Sequence, residues 1–187
     1  MRVAALVSGT GSILDAMFEA SVPVSLVLAD RSCQALERAT KAGVEPLLVA
    51  RTSFGPDFDR LGYTEKVVNE LQDRHIDLIV MAGFGTVFSE PVHAAYGGRI
   101  INTHPSLLPA FPGWHAVADA LAYGVKITGC TVHVAGLEVD TGPILAQEAV
   151  RVRDDDTEES LHERIKAVER RLFPDTILSI LERGSVL

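Results

Sequence analysis

The hydrophobic residues of the N-terminal half form short, unbroken runs separated by polar and glycine-containing segments. Unbroken apolar runs are typical of parallel strands that are buried on both faces. They predict four strands here: Arg2–Val7, Val24–Leu28, Pro46–Val49 and Leu78–Ala82. Between them, residues at helical spacing predict three helices: Ile13–Phe18, Ala35–Ala42 and about Phe58–Arg74. This alternation predicts an α/β fold with a parallel sheet and helices on both faces.

The C-terminal half departs from the simple alternation. Its pattern predicts a buried strand end at Arg99–Ile101, a helix over Ala116–Tyr123, and strands over Ile127–Val134 and Pro143–Val150. The last two strands are close enough in sequence to pair antiparallel, so we expect a mostly parallel, mixed central sheet. A final helix is expected to start near Asp156, capped by that carboxylate together with Glu159, and Pro174 is expected to kink or break it.

Composition narrows the class of protein. With 187 residues, 47% apolar and 22% charged, the chain suits a single domain over residues 1–187. The net charge of −8 disfavours a nucleic-acid partner but leaves room for a local anion site. No segment resembles a signal peptide or reaches transmembrane length, and Cys33 and Cys130 lie far apart. We therefore expect a cytoplasmic protein with free thiols and no membrane partner.

Asn102 and His104 are the first candidate pair for chemistry. They follow the buried run that ends at Ile101, and their spacing of two places both side chains on one face of an extended strand. Pro105 holds His104 extended and ends the strand. An amide and an imidazole held in this way can stabilise an oxyanion and move a proton near neutral pH. Two core residues satisfied by backbone groups are the alternative.

Ser8–Ser12 forms a glycine turn between a strand and a helix. Such a turn offers free backbone N–H groups and a positive helix end to a phosphate. Gly9 and Gly11, with Asp30 further on, partly match the dinucleotide-binding fingerprint, but Leu14 stands where its third glycine should be. A tight turn without a ligand is an equal alternative.

Asp140 is the third candidate, in a loop bounded by glycines and a proline. An exposed Asp in such a loop is usually part of the turn itself. A buried Asp beside a histidine would instead favour the charged imidazole and orient the ring.

Several segments together, in their order along the chain, resemble the phosphoribosylglycinamide formyltransferases. They are Ser8–Ser12, Met81–Phe84, Asn102–Pro109, Phe111–Gly113 and Asp140–Ile144. The Asn-x-His-Pro and Asp-x-Gly-Pro pieces are also similar to the wider formyl-folate family, including the methionyl-tRNA formyltransferases and the formyltetrahydrofolate deformylases. The resemblance implies a Rossmann-like formyltransferase fold. It further implies transfer of a formyl group from 10-formyltetrahydrofolate to the amine of glycinamide ribonucleotide, in purine biosynthesis and without a metal.

The resemblance also implies roles for individual residues. Asn102, His104 and Asp140 would be catalytic. The ribonucleotide would be bound through backbone N–H groups of the turn and through two later residues, the set being Gly9, Thr10, Gly11, Ser12, Ile13, Pro105 and Glu169, of which Glu169 would hold the ribose hydroxyls. The folate would be bound by Arg60, Gly85, Thr86, Val87, Phe88, Asn102 and Asp140. The N-terminal part would thus bind phosphate and the C-terminal part would bind folate and perform the reaction, with a homodimer left open.

Two positions depart from the pattern of this family. Ile13 stands where an Asn is common, so a side-chain contact with the phosphate is lost although the backbone N–H remains. Thr86 stands where an Arg is frequent, which changes how the pterin would be held.

Other functions compete with formyl transfer. A deformylase would use the same three catalytic residues on water. A nicotinamide-dependent oxidoreductase or a non-catalytic nucleotide-binding module would explain the glycine turn but not Asn102, His104 and Asp140. A zinc hydrolase would need ligands among His104, His115, His133 and Asp140, whose spacing matches no usual zinc pattern. We expect His133 in the core, His115 either against substrate or capping a loop, and His75 and His93 on the surface.

Overall fold

The computed structural model describes residues 1–187, which form one seven-stranded sheet flanked by six helices. Its strands are β1 (Val3–Val7), β2 (Val24–Ala29), β3 (Glu45–Leu48), β4 (Leu78–Met81), β5 (Ile100–His104), β6 (Ile127–Val134) and β7 (Ile144–Arg151). Its helices are α1 (Ser12–Glu19), α2 (Gln34–Lys41), α3 (Arg60–Asp73), α4 (Glu90–Tyr96), α5 (Ala116–Tyr123) and α6 (Glu158–Arg183).

The sheet has the order β3-β2-β1-β4-β5-β6-β7. Strands β1 to β5 are parallel, whereas β6 pairs antiparallel with both β5 and β7. The predicted mixed sheet of an α/β fold is therefore confirmed. None of the six helices combines the length and the apolar character that crossing a membrane requires.

Alternation along β1 explains why helices cover both faces. All five residues of β1 are buried, and they belong to two different cores. Val3, Ala5 and Val7 lie in a core of 22 residues that also contains side chains of α1, α2 and α6. Ala4 and Leu6 lie in a core of 16 residues that contains side chains of α3 and α4. A strand with two apolar faces needs helices on each side, as the unbroken run predicts.

The order of the strands reverses between β1 and β4, because β2 and β3 extend one way from β1 and β4 and β5 the other. Ligands of open α/β sheets bind beyond the carboxyl ends of the strands at such a switch point. The Ser8–Ser12 turn follows β1, and the Gly83–Phe88 loop follows β4. These two segments are therefore placed for binding by topology alone.

Three details of the helices differ from the sequence-based expectations. The short helix α4 was not predicted, because its seven residues offer a buried pair, Val92 and Tyr96, but no longer periodic pattern. Helix α6 starts one residue later than expected, with Thr157 as its N-cap in a capping box with Ser160. Asp156 is unavailable as the cap, because its carboxylate pairs with Arg164 and accepts from the backbone N–H of Arg153.

Helix α6 also continues through Pro174 to Arg183, so Pro174 does not break it, and of the two expected outcomes the kink stays a prediction. A proline inside a helix costs about 3 kcal/mol. Here Phe173, Ile177 and Ile180 are fully buried against the sheet on the same helix. Burying each such side chain stabilises the fold by about 1.5–3 kcal/mol, which exceeds the cost of the proline.

Candidate active site

A cavity of about 710 Å³ lies at the carboxyl end of the sheet, where β1, β4 and β5 end. Its walls are the glycine turn, the loop after β4, the end of β5, the Ala135–Asp140 loop and one face of α6. Every site residue expected from the sequence lines it, with the exception of Arg60. Arg60 is the exposed first residue of α3 and lies outside the cavity wall.

Strand β5 places Asn102 and His104 at this edge of the sheet. Asn102 and His104 both line the cavity, and so does Thr103, which lies opposite Val132 on β6 and contacts the Cys130 sulfur at 3.3 Å. Asn102 pairs across the sheet with His133, and His104 pairs with Thr131. The antiparallel neighbour β6 therefore adds its own side chains to the site.

The ring of His104 lies between two oxygen atoms. Its Nε2 is 2.8 Å from the carbonyl oxygen of Phe111, and its Nδ1 is 3.3 Å from Oδ2 of Asp140. A carbonyl oxygen only accepts hydrogen bonds, so Nε2 has the hydrogen in that contact. Because the carboxylate also attracts a proton on Nδ1, the doubly protonated imidazolium satisfies both contacts at once.

Asp140 is buried and fixed before any ligand arrives. Its side chain is 6% exposed, and its Oδ2 accepts a hydrogen bond from the backbone N–H of Gly113 at 2.7 Å. Its backbone has a φ of 55°, a left-handed conformation that Asp tolerates better than most residues. Asp140 is therefore not an ordinary exposed turn residue. It joins the loop after β6 to the loop after β5.

Asn102 is oriented by His133. Nδ1 of His133 donates to the carbonyl oxygen of Val134 at 3.1 Å, which leaves Nε2 free to accept. The Nδ2 group of Asn102 lies 3.3 Å from that nitrogen and donates to it. Burial lowers the pKa of His133, which favours this neutral form. His133 is buried as expected, yet its contact with Asn102, and its distance of 3.8 Å from Oδ1 of Asp140, make it part of the site.

Thr131 fixes the loop that follows His104. Its hydroxyl donates to the carbonyl of Ser106 at 2.7 Å and accepts from the backbone N–H of Leu108 at 3.0 Å. Gln147 on β7 donates both to this hydroxyl and to the Leu108 carbonyl, each at 2.9 Å. The Ser106–Leu108 segment is thus attached to β6 and β7 through buried hydrogen bonds.

The glycine turn leads directly into α1. Gly11 is the N-cap residue of this helix and has a φ of 84°. The first N–H group to bond within the helix is that of Asp15, which donates to the Gly11 carbonyl at 2.9 Å. The N–H groups of Ser12, Ile13 and Leu14 are therefore left for a ligand, as at any helix start. The Ile13 side chain packs into the core, so only its backbone is available there.

Helix α6 lines the cavity with three polar residues in successive turns, His162, Lys166 and Glu169. Burial raises the pKa of Glu169, and a hydrogen bond with Thr103 opposes part of that rise. Burial lowers the pKa of His162. His162 and Lys166 were missed in the sequence, although their spacing of seven and three residues from Glu169 places them on the same helical face.

The remaining histidines fall in different environments. His93 on α4 is half-buried and lines the cavity, so its predicted surface position is wrong. Its burial lowers its pKa. His75 is exposed as expected, and His115 is an exposed N-cap residue of α5 without a side-chain capping bond. No group of three or more His, Cys, Asp or Glu side chains is arranged to hold a metal ion.

Known proteins and solved structures match this chain over nearly its whole length. A sequence model of the family described as "Formyl transferase" matches residues 1–177. A protein of Mycobacterium tuberculosis named phosphoribosylglycinamide formyltransferase is 45% identical over 188 residues, which is 98% of this chain and 86% of the relative. A human trifunctional purine biosynthetic protein is 36% identical over 99% of this chain and 19% of its own length. The crystal structure of glycinamide ribonucleotide transformylase 1 from Symbiobacterium toebii matches with a TM-score of 0.89 at 39% identity, covering 98% of this chain and 88% of that one.

Proposed function

The chain belongs to the formyl transferase family, and we propose that it transfers the formyl group of 10-formyltetrahydrofolate to the amine of 5-phosphoribosylglycinamide, a step of de novo purine biosynthesis. The observation that supports this most is the contact of His104 with Asp140 beside Asn102, inside one cavity that also contains an anion-binding turn. Together these elements suit a phosphorylated amine and the formyl group it receives.

The ribonucleotide would occupy the side of the cavity formed by α1 and α6. The free N–H groups of Ser12 and Ile13, aligned with the positive end of α1, suit a phosphate. Lys166 lines the same cavity, with its ammonium group 2.8 Å from Oε1 of Glu163. Glu169, three residues further along α6, lines the cavity and would accept hydrogen bonds from ribose hydroxyls.

The folate would occupy the side formed by the loop after β4. Gly85–Phe88 lines the cavity together with apolar residues of the Ala135–Val139 loop, which suits a flat heteroaromatic ring. The Thr86 hydroxyl faces Asp30, so Thr86 would contact the ring through its backbone. Arg60 would contribute only to a part of the folate that extends beyond the cavity.

The reaction would begin with attack of the substrate amine on the formyl carbon. The formyl oxygen then gains negative charge and the amine nitrogen becomes positive. The second N–H of the Asn102 amide would donate to that oxygen. The Nε2–H of His104, which donates to the Phe111 carbonyl when no ligand is bound, would donate to the same oxygen instead. Asp140 stabilises the charged ring and accepts the proton that the amine must lose, through a bridging water. Collapse breaks the bond to N10 of the folate, which takes up the proton that the amine lost, returned from Asp140 through the bridging water, as tetrahydrofolate leaves.

Acid–base catalysis and oxyanion stabilisation each contribute a large factor to the rate. General acid–base catalysis contributes about a hundred- to ten-thousandfold, and one oxyanion donor about a hundred- to a thousandfold. No nucleophilic serine or cysteine is required, and Cys130 is buried with its pKa raised to about 12 by that burial.

A deformylase would use the same three residues on water, and the anion-binding side of the cavity favours the transferase. Hydrolysis of formyl-folate needs no second subsite with phosphate and ribose partners, whereas the turn and α6 provide one. The test is product analysis with 10-formyltetrahydrofolate in the presence and absence of glycinamide ribonucleotide.

We expect tetrahydrofolate to appear only with the ribonucleotide, in equal amount to the formylated ribonucleotide. Release of formate without the ribonucleotide would favour the deformylase instead. His104→Ala should lower kcat by a factor on the order of a hundred or more, and His75→Ala, which removes an exposed histidine outside the cavity, is the matched control.

The proposal extends to the setting of the enzyme. Cys33 and Cys130 are free thiols, which supports a reducing cytoplasmic location. Both ligands are small molecules, and the negative net charge disfavours nucleic acid. A single domain over residues 1–187 accounts for the whole reaction, and a homodimer remains a prediction that sedimentation analysis would test.

A further inference from the structure

We propose that Asp30 is a positioning residue that holds the Gly83–Phe88 loop, and with it the folate side of the cavity, through the hydroxyl of Thr86. The inference rests on the proposed function, because it assigns folate binding to that loop. It gives a role to a buried carboxylate that formyl transfer itself leaves without one.

Asp30 is completely buried at the end of β2, in the position where a dinucleotide-binding protein has its ribose-binding acid. Both of its oxygens are occupied by protein groups. Arg31 donates from Nε to Oδ1 at 3.0 Å and from Nη2 to Oδ2 at 3.1 Å. Thr86 donates from its hydroxyl to Oδ2 at 2.7 Å. Asp30 is thus unavailable to a ligand, which removes the structural basis for the oxidoreductase alternative.

The same contacts keep the Asp30 carboxylate charged. Burial raises its pKa, but hydrogen bonds from Arg31, Thr86 and Ser8 outweigh this effect, so that its pKa lies below the usual value of 3.8. A buried carboxylate is costly unless several donors satisfy it. The loop after β4 supplies one of those donors through Thr86, and this links the position of the loop to the carboxylate.

Two further contacts fix the part of the loop that precedes Thr86, and a third reaches Thr86 itself. The backbone N–H of Gly85 donates to the hydroxyl of Ser8 at 2.8 Å, and the backbone N–H of Ser8 donates to the carbonyl of Gly83 at 3.0 Å. Arg51 donates from Nη1 to the Thr86 hydroxyl at 3.2 Å. The loop is therefore attached to the ends of both β1 and β2.

The arginines in this network are themselves held in place. The guanidinium groups of Arg31 and Arg51 lie 4.3 Å and 4.5 Å from the centre of the Phe54 ring. Arg51 also lies 3.9 Å from the ring of Phe58, and its backbone N–H donates to the Asp30 carbonyl at 2.8 Å. Asp30, together with the direct contact between Arg51 and Thr86, joins this stacked cluster to the folate loop.

Position and chemistry together make Thr86 the informative probe. Thr86 is 1% exposed and its hydroxyl is engaged by Asp30 and Arg51, so its side chain reaches no ligand. Thr86→Val keeps the shape but removes one donor from Asp30 Oδ2 and the acceptor of Arg51 Nη1. Losing hydrogen bonds to charged groups in this way weakens the arrangement they hold by roughly ten- to hundredfold in an equilibrium constant.

The experiment measures KM for both substrates and kcat in the full-length Thr86→Val protein. We expect KM for 10-formyltetrahydrofolate to rise about tenfold or more, while KM for the ribonucleotide and kcat change less than about threefold. Thr86→Ser, which restores the hydroxyl, should return the folate KM towards that of the unchanged protein. Asp30→Asn should raise the folate KM as well, and adding Thr86→Val to it should have little further effect.

Thr128→Val is the matched control, because Thr128 is equally buried and its hydroxyl has no partner. It should leave both KM values unchanged. Direct binding of tetrahydrofolate, followed through the fluorescence of Trp114 at the cavity wall, repeats the comparison without turnover.

The outcomes separate the two proposals. If the wild-type protein binds folate but forms no formylated ribonucleotide, the proposed function is overturned, and the comparison of folate binding between variants still stands. If the wild-type protein is active and the Thr86→Val variant has the same affinity for folate, the positioning role is overturned. Equal weakening of the binding of both substrates, or failure of Thr86→Ser to restore folate binding, would show a general structural role and would also overturn the positioning role.

Discussion

Gly11 offers a quantitative test of how the turn is built. Its φ of 84° lies in the left-handed region, and a Cβ at this position would lie 2.9 Å from Cβ and 3.1 Å from Cα of Ala35 on α2. The left-handed conformation costs an L-residue about 1–2 kcal/mol, and overpacking a core contact typically costs about 1–3 kcal/mol more. We therefore expect Gly11→Ala to lower the free energy of unfolding by about 2–5 kcal/mol, a large part of the usual 5–15 kcal/mol.

Gly9→Ala is the matched control within the same turn. A Cβ at Gly9 would meet nothing within 4 Å, and its φ lies outside the left-handed region. Its free energy of unfolding should change by less than about 1 kcal/mol. Urea unfolding should be followed by far-UV circular dichroism, because the single tryptophan, Trp114, is 72% exposed and its fluorescence changes little on unfolding.

Two results would refute the reasoning. Gly11→Ala should be partly rescued by Ala35→Gly, since that change removes the nearest contacting atom, with a coupling energy of at least about 1 kcal/mol. Strict additivity would show that the contact does not determine the turn. In the folded Gly11→Ala protein, ribonucleotide affinity should fall while folate affinity is retained. Equal loss of both would show that the phosphate is bound elsewhere.

Three further predictions follow from the site. His104→Ala or Asn102→Ala should each lower kcat by a factor on the order of a hundred or more. A His104/Asp140 double mutant should be little worse than the poorer single mutant, whereas a loss equal to the product of the two single losses would mean that the two residues act independently. Glu169→Gln should weaken ribonucleotide binding yet stabilise the protein. Because the pKa of Glu169 is raised in the folded state, its ionisation costs stability as pH rises. The gain in unfolding free energy should therefore be larger at pH 8 than at pH 4.5, and a pH-independent difference would contradict this. Exhaustive chelation should leave formyl transfer intact, and loss of activity that zinc restores would end the metal-free mechanism.

The sequence predicted the sheet and the central residues because their signals are local. The apolar run of β4 needs two covered faces, and the spacing of Asn102 and His104 determines their common face. The parts that were missed depend on tertiary contacts. His93 lies on a helix too short for a periodic pattern, and the start of α6 was misplaced because Asp156 is bound to Arg164.

Lys166 illustrates a second kind of limit. A lysine on an amphipathic helix normally belongs to the solvated face, and only the packing of α6 beside the glycine turn places this one in the cavity. Asp30 is similar, because the sequence suggested a ligand contact where the fold provides Arg31 and Thr86 as partners. Residue type and spacing predicted where chemistry could occur, and the three-dimensional contacts decided which groups were free for it.

The attachment of Thr131 to the loop after β5 has a consequence for how this protein tolerates changes in length. Side chains alternate along a strand, so deleting or inserting one residue within Ile100–His104 would turn Asn102 or His104 to the opposite face of the sheet, away from His133 and Asp140. The strand cannot slide to recover, because the Thr131 hydroxyl binds both the Ser106 carbonyl and the Leu108 N–H. Functional descendants of this sequence should therefore differ within β5 by substitution alone, with insertions and deletions accepted only in exposed connections elsewhere.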